Sequence, residues 1–127
     1  MSKKILLPVM ITLGVLLIAF TAVQYRKKVH EDKVMKFANQ VIVLATETQH
    51  QLDSVFYEYR LKSMEAISSS YAWELKLSMV KVAESTAKIV IMQKYHEKRK
   101  AIDMNAKAEG VTEDEYIKHV DQVLTGI

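Results

Sequence analysis

The chain lacks cysteine entirely and has only one proline and three glycines in 127 residues. Without cysteine there is no disulfide framework, no thiolate metal cluster and no cysteine nucleophile. Glycines at 14, 110 and 126 are too few and too scattered to form a loop that cradles phosphate. The shortage of turn-formers argues against an array of short strands. An excess of one charge is also missing, since eighteen basic and fifteen acidic residues leave a net of +3. What is abundant is apolar residues, which make up half of the chain and are too many for a disordered polymer. The length allows one small domain at most. The composition therefore predicts an all-α protein.

The first long feature is a run from Ile5 to Val23 that carries no charge. As a helix it would span about 28 Å, close to the hydrocarbon thickness of a bilayer. Pro8 is expected in its first turn, where a missing N–H costs little. Lys3 and Lys4 precede the run, and Arg26, Lys27 and Lys28 follow it. A cleaved secretory signal has a similar outline but needs small residues at −3 and −1 of the cut. Cleavage after Thr21 or Ala22 meets that need poorly, and the basic triplet suits a flank that stays in place. The reading is a transmembrane anchor over residues 5–23, with a basic tail at 1–4 and a basic juxtamembrane segment at 24–28. Lys33 and Lys36 extend the positive charge beyond the span, which leans the following domain towards the cytoplasm. The two lysines ahead of the span pull the other way.

From Val15 to Glu109 no glycine or proline occurs. Val34, Phe37, Val41, Ala45, Thr48, Leu52, Val55, Tyr59 and Ala66 fall on one stripe at 100° per residue, which predicts an amphipathic helix over about 29–67. Ser68, Ser69 and Ser70 interrupt that pattern and are good residues for a helix start. A second helix is predicted over about 71–108. The two are of similar length, so residues 29–110 are expected to form a long antiparallel hairpin. The alternative is one continuous coiled-coil helix. Glu109-Gly110 suits a C-terminal cap, and Thr112-Glu113-Asp114-Glu115 has the spacing of a capping box. A short helix within residues 111–127 would show Tyr116, Ile117, Val120, Val123 and Leu124 to the hairpin or to a partner.

The second helix has a broad apolar sector instead of a stripe. Ala72, Leu75, Met79, Ala83, Thr86 and Val90 run along its centre. Trp73, Val80, Ala87 and Ile91 widen it on one side, and Val82 and Ile89 on the other. One facing helix cannot cover that width, so a homo-oligomer or an obligate protein partner is expected. Val43, Tyr57, Leu61 and Met64 add a minor apolar strip on the first helix. The expected partner contacts are Met64, Trp73, Leu75, Met79, Val82, Ile89 and Met92.

Chemistry is sparse. Glu47-Thr48-Gln49-His50 has the E-x-x-H spacing of carboxylate-bridged di-iron bundles, but such sites need a second copy and two further glutamates. Gln93-Lys94-Tyr95-His96 is a poor second copy, and a turn near Ser69 would set residue 50 opposite about residue 88. No serine, histidine and acid are fixed together by local spacing. Neither an enzyme, a cofactor, a metal nor a small-molecule substrate is expected. Beyond Val23 the basic and acidic residues nearly balance, so nucleic acid is not an expected partner. Membrane lipid is. A hairpin would fold the basic residues Lys98, Arg99 and Lys100 towards Arg26, Lys27, Lys28, Lys33 and Lys36, making a collar for anionic headgroups.

The expected role is that of a non-enzymatic single-pass membrane protein, a small scaffold, accessory or assembly subunit. Two other readings compete. With the continuous helix and a periplasmic location, the outline is similar to an inner-membrane spanin, a phage membrane-disruption factor with an anchor followed by a coiled coil. With a cleaved signal, the chain would be a secreted helical bundle.

Overall fold

Three helices make up the fold: α1 at Lys3–Ser68, α2 at Trp73–Ala108 and α3 at Glu113–Thr125. The computed structural model describes residues 3–69 and 71–126, and no strand occurs among them. Met1 and Ser2 of the basic tail, Ser70 of the serine run and Ile127 lie outside the described residues. The protein is all-α, and the helical path is broken between Ser68 and Trp73.

α1 is a single helix of 66 residues, about 99 Å long. It passes through residues 24–28 without a break, because no glycine or proline there opposes the i→i−4 ladder. It begins at Lys3, so Pro8 lies in its second turn and not its first. The ring nitrogen there has no proton to give to the carbonyl of Lys4, and the helix continues with one bond fewer. Near its N-terminus α1 is long and apolar enough to cross a membrane by length and composition. From Ile5 to Val23 every residue is exposed, with Gly14 alone half-buried. No other described part of the chain covers this stretch.

Beyond it, the predicted stripe of α1 is the buried face. Val34, Phe37, Val41, Thr48 and Ala66 are buried, and Ala45, Leu52, Val55 and Tyr59 are half-buried. Phe37, Ala38 and Val41 join Ala106 of α2, Val111 of the loop, and Tyr116 and Val120 of α3 in one core cluster. Each large apolar side chain buried there stabilises the fold by about 1.5–3 kcal/mol.

The link between α2 and α3 explains why that cluster is closed. Gly110 takes a left-handed φ of 78°, which favours glycine because no Cβ is present to clash. The Val111 N–H donates to the Ala106 carbonyl at 2.8 Å, and the Gly110 N–H to the Lys107 carbonyl at 3.0 Å. These are the paired bonds of a Schellman motif, with Val111 and Ala106 as its apolar contact.

The turn between α1 and α2 differs from expectation. Among the described residues, no serine side chain caps α2. The Ser68 hydroxyl donates back to the Met64 carbonyl at 2.8 Å, and the Ser69 hydroxyl to the Tyr71 carbonyl at 3.0 Å. The residue before α2 is Ala72, held at φ 52° and ψ 32°. A left-handed alanine costs about 1–2 kcal/mol. The break in the helical path is therefore centred near Ala72, about three residues later than Ser69. The facing residues move with it. Lys62, Glu65 and Ala66 of α1, with Ser69, share a groove with Lys76 and Val80. His50 shares one with Ile91, Lys94, Tyr95 and Lys98, not with a level near residue 88.

The apolar sector of α2 is also used differently. The residues that are half-buried at helical spacing are Leu77, Val80, Ala87, Ile91 and Tyr95. Leu75, Met79, Ala83, Thr86 and Val90, expected along the centre of the sector, are exposed. α1 sits on one flank of the sector and leaves its centre uncovered.

Candidate functional site

Two regions concentrate the uncommon features of this chain: the junction where α3 docks, and the uncovered face of α2. The junction is polar outside and apolar within. Tyr116 is fully buried at 0% exposure, and its hydroxyl is held on both sides. Arg99 Nη1 donates to it at 2.8 Å, and it donates to Asp103 Oδ1 at 3.0 Å. The Arg99 guanidinium also stands 5.1 Å from the ring centroid, a geometry in which the cation meets the negative face of the ring. Burial pushes the Tyr116 phenol above its ordinary value. The ammonium of Lys107, which donates to Asp103 at 3.2 Å, holds that carboxyl below its usual range.

A second tie joins α3 to α1. His30 Nε2 lies 2.5 Å from Glu115 Oε2. That bond, helped by the Thr112 hydroxyl at 3.1 Å and by the Thr112 backbone N–H, lowers the Glu115 pKa. The expected capping box is thus half formed. Glu115 reaches back to the backbone of Thr112, while the Thr112 side chain makes no cap bond. A third tie is Lys36 to Glu109 at 3.4 Å. None of these partners was evident from sequence, because each pair is separated by 73 or more residues in the chain. The Arg99–Tyr116 pair is closer, at seventeen residues. It depends on the sharp turn at Gly110.

The expected headgroup contacts divide. Arg26, Lys27 and Lys28 are exposed on the first turns past Val23, and Lys33 is half-buried. Lys36 is engaged by Glu109 and Arg99 by Tyr116 and Glu113. Lys98 lines a groove with Asn39, Gln40, Val43, Leu44 and Glu47, which lies roughly 24–36 Å beyond Val23 along α1. Lys100 is exposed two residues further along α2. Screening acts over about 8 Å, so Lys98, Arg99 and Lys100 stand apart from a collar at the end of the apolar run. The cause is their place on α2, eight to ten residues before its end at Ala108. The acidic first turn of α3, through Glu115 and His30, comes closest to the basic triplet.

The expected partner contacts are mostly open. Trp73, Leu75, Met79, Val82 and Ile89 are exposed on α2, with Val82 at 66%, and Met64 is exposed on α1. Met92 is half-buried. Phe56 and Ile67 are further exposed apolar residues that sequence reasoning left out, and Val90, placed in the sector but not among the contacts, is exposed as well. The strip of Val43, Tyr57, Leu61 and Met64 is exposed throughout. α3 does not relieve this exposure. Its Leu124 lies in a groove with Ala45, Thr46, Gln49, His50 and Asp53, so residues 54–90 extend past it. Val123 and Leu124, expected on its docking face, remain exposed.

Glu47 and His50 line one open groove with Lys94 and Lys98. The shifted register sets His50 and His96 at nearer levels than a turn at Ser69 would. Among the described residues no three His, Cys, Asp or Glu side chains converge on a common point.

No protein-family model matches the chain, and comparisons with curated proteins and with solved structures find no match.

Proposed function

We propose that this chain is a non-enzymatic, single-pass membrane protein that acts through helix–helix contact as a small scaffold, accessory or assembly subunit. In this reading residues 5–23 span the bilayer. Arg26, Lys27 and Lys28, with Lys33 beside them, meet the headgroups, and α1 and α2 form an antiparallel hairpin. The hairpin stands on the cytoplasmic side, following the excess of Lys and Arg just beyond the span.

The observation that carries the proposal is the uncovered face of α2. Leu75, Met79, Val82 and Ile89 are large, apolar and exposed on the same helix that buries Leu77, Val80 and Ile91 in part against α1. An exposed apolar strip of this extent marks an interaction surface. Met64, Trp73 and Met92 border the contact, and the flexible thioethers suit a surface that must adapt to its partner. The hairpin is supported by the grooves shared between residues 44–55 and 91–98 and between 39–47 and 98–102. The span is supported by the exposure of every residue from Ile5 to Val23 except Gly14, since lipid is a solvent that would cover it.

The test is Val82→Glu in the full chain, purified in detergent micelles. A carboxylate there would stand unpaired in an apolar contact. Sedimentation should show the assembled species lost while helicity by circular dichroism is kept. An unchanged assembled mass would overturn the assignment of this face.

A further inference from the structure

The exposed face of α2 has a regular spacing. Leu75, Met79, Val82, Thr86 and Ile89 follow at intervals of four, three, four and three residues, and all are exposed. This is the alternation of a and d positions in a heptad, with Met79 and Thr86 at a and Leu75, Val82 and Ile89 at d. A second series, Leu77, Val80, Glu84, Ala87 and Ile91, runs at three, four, three and four residues on the opposite side of the same helix, and all five are half-buried. α2 therefore carries two seams. The second is occupied within the chain and the first is free.

We infer that the free seam is filled by a second copy of this chain, with the two α2 helices parallel and in register. The inference rests on the reading of the chain as a helix-contact protein and names its partner. Three features select a like copy. The positions flanking the seam are Lys76, Ala83 and Val90 on one side and Ser78, Ser85 and Met92 on the other. Coiled coils choose unlike partners through opposite charges at these positions, and here only Lys76 is charged. Two identical seams meet without repulsion, and nothing at their edges favours a different chain. Second, copies anchored in one bilayer by residues 5–23 point the same way and stand at the same height. Leu75, Val82 and Ile89 of one copy then lie level with the same residues of the other. Third, the register of α2 on α1 keeps α3 clear of the seam, because α3 packs on α1 at the other end of the fold. The apolar spacing stops at Gln93 and His96, so the contact is confined to the end of α2 nearest Ala72.

The absence of cysteine makes the test direct. Val82→Cys and, as a control away from the seam, Lys81→Cys are placed one at a time in the full chain in membranes, with mild oxidation to join neighbours. Val82→Cys should form a covalent dimer at least tenfold faster than Lys81→Cys. Equal rates overturn the like-copy seam. The labelling rate of Val82→Cys by a soluble maleimide then separates that failure from a wider one. If Val82→Cys is shielded relative to Lys81→Cys yet does not cross-link, a different chain covers the face and the helix-contact reading stands. If it labels as fast as Lys81→Cys, both proposals fall.

Discussion

Tyr116 shows how much of this fold depends on single groups. It fills the junction of all three helices, and its hydroxyl has a donor in Arg99 and an acceptor in Asp103. Losing the hydroxyl leaves Asp103 with Lys107 and leaves Arg99 one acceptor short. Tyr116→Phe keeps the ring and its apolar burial, so the cost is confined to those bonds, about 1–2 kcal/mol. Thermal unfolding of the full chain in micelles should show this as a lower midpoint with unchanged starting helicity. The position of Tyr116 on a short amphipathic helix was legible from the spacing of Tyr116, Ile117 and Val120. Its partners were not. Arg99 belongs to a basic run that, read alone, looks like a surface for anions. Only the reversal at Gly110 turns one member of that run inward.

At the scale of the element, α3 is the part of the fold most exposed to solution conditions. It is 13 residues long, near the length at which an isolated helix is marginal in water. Its docking on α1 is reinforced at His30, and Glu115 accepts that bond more strongly when ionised. The bond keeps the folded Glu115 carboxyl below its ordinary value of 4.5. Above about pH 5 both folded and unfolded forms are ionised, and the stabilisation is fully present. As pH falls through the depressed value the folded carboxylate takes up a proton and the stabilisation is lost. Asp103, also lowered, acts in the same direction. Acid should therefore loosen α3 before the rest of the fold. Amide hydrogen exchange should show protection of residues 113–125 falling below about pH 4.5, ahead of residues 34–66. Glu115→Gln should flatten that dependence and reduce protection at neutral pH. Equal acid sensitivity in the variant would remove Glu115 as its source.

The whole molecule is one long helix joined to two shorter ones. α1 holds both the apolar run and the buried stripe in one helix, so a displacement at one end is carried to the other without a flexible joint. A stiff post of this kind would hold the free seam of α2 at a fixed height over a bilayer. The proposed hairpin makes a distance prediction. With the reversal near Ala72, spin labels at Thr46 and Ser85 should be about 22 Å apart, against about 58 Å along one continuous helix. Pulsed electron resonance of the doubly labelled chain distinguishes the two, and the longer distance would return the continuous rod to first place.

The helical class, the position of the apolar run, the buried stripe of α1, the cap at Gly110 and the start of α3 were all readable from residue order. Each depends on local chemistry: a 3.6-residue period, a chain without breakers, a glycine at a left-handed position, and acids at a helix start. Long-range register was not readable. The serines looked like the turn because serine caps helices. Yet the hydroxyl of Ser68 bonds back into α1, and the left-handed residue that starts α2 is Ala72, which no propensity favours. The grooves shared by α1 and α2 are displaced with it by at least one helical turn. The choice of flank was hidden for a related reason. Two apolar series share α2, and their spacings are equally helical. Packing against α1 settles which is covered: the half-buried series includes Ile91, which shares a groove with Val55, and Val80, which shares one with Ala66. The other is left facing out.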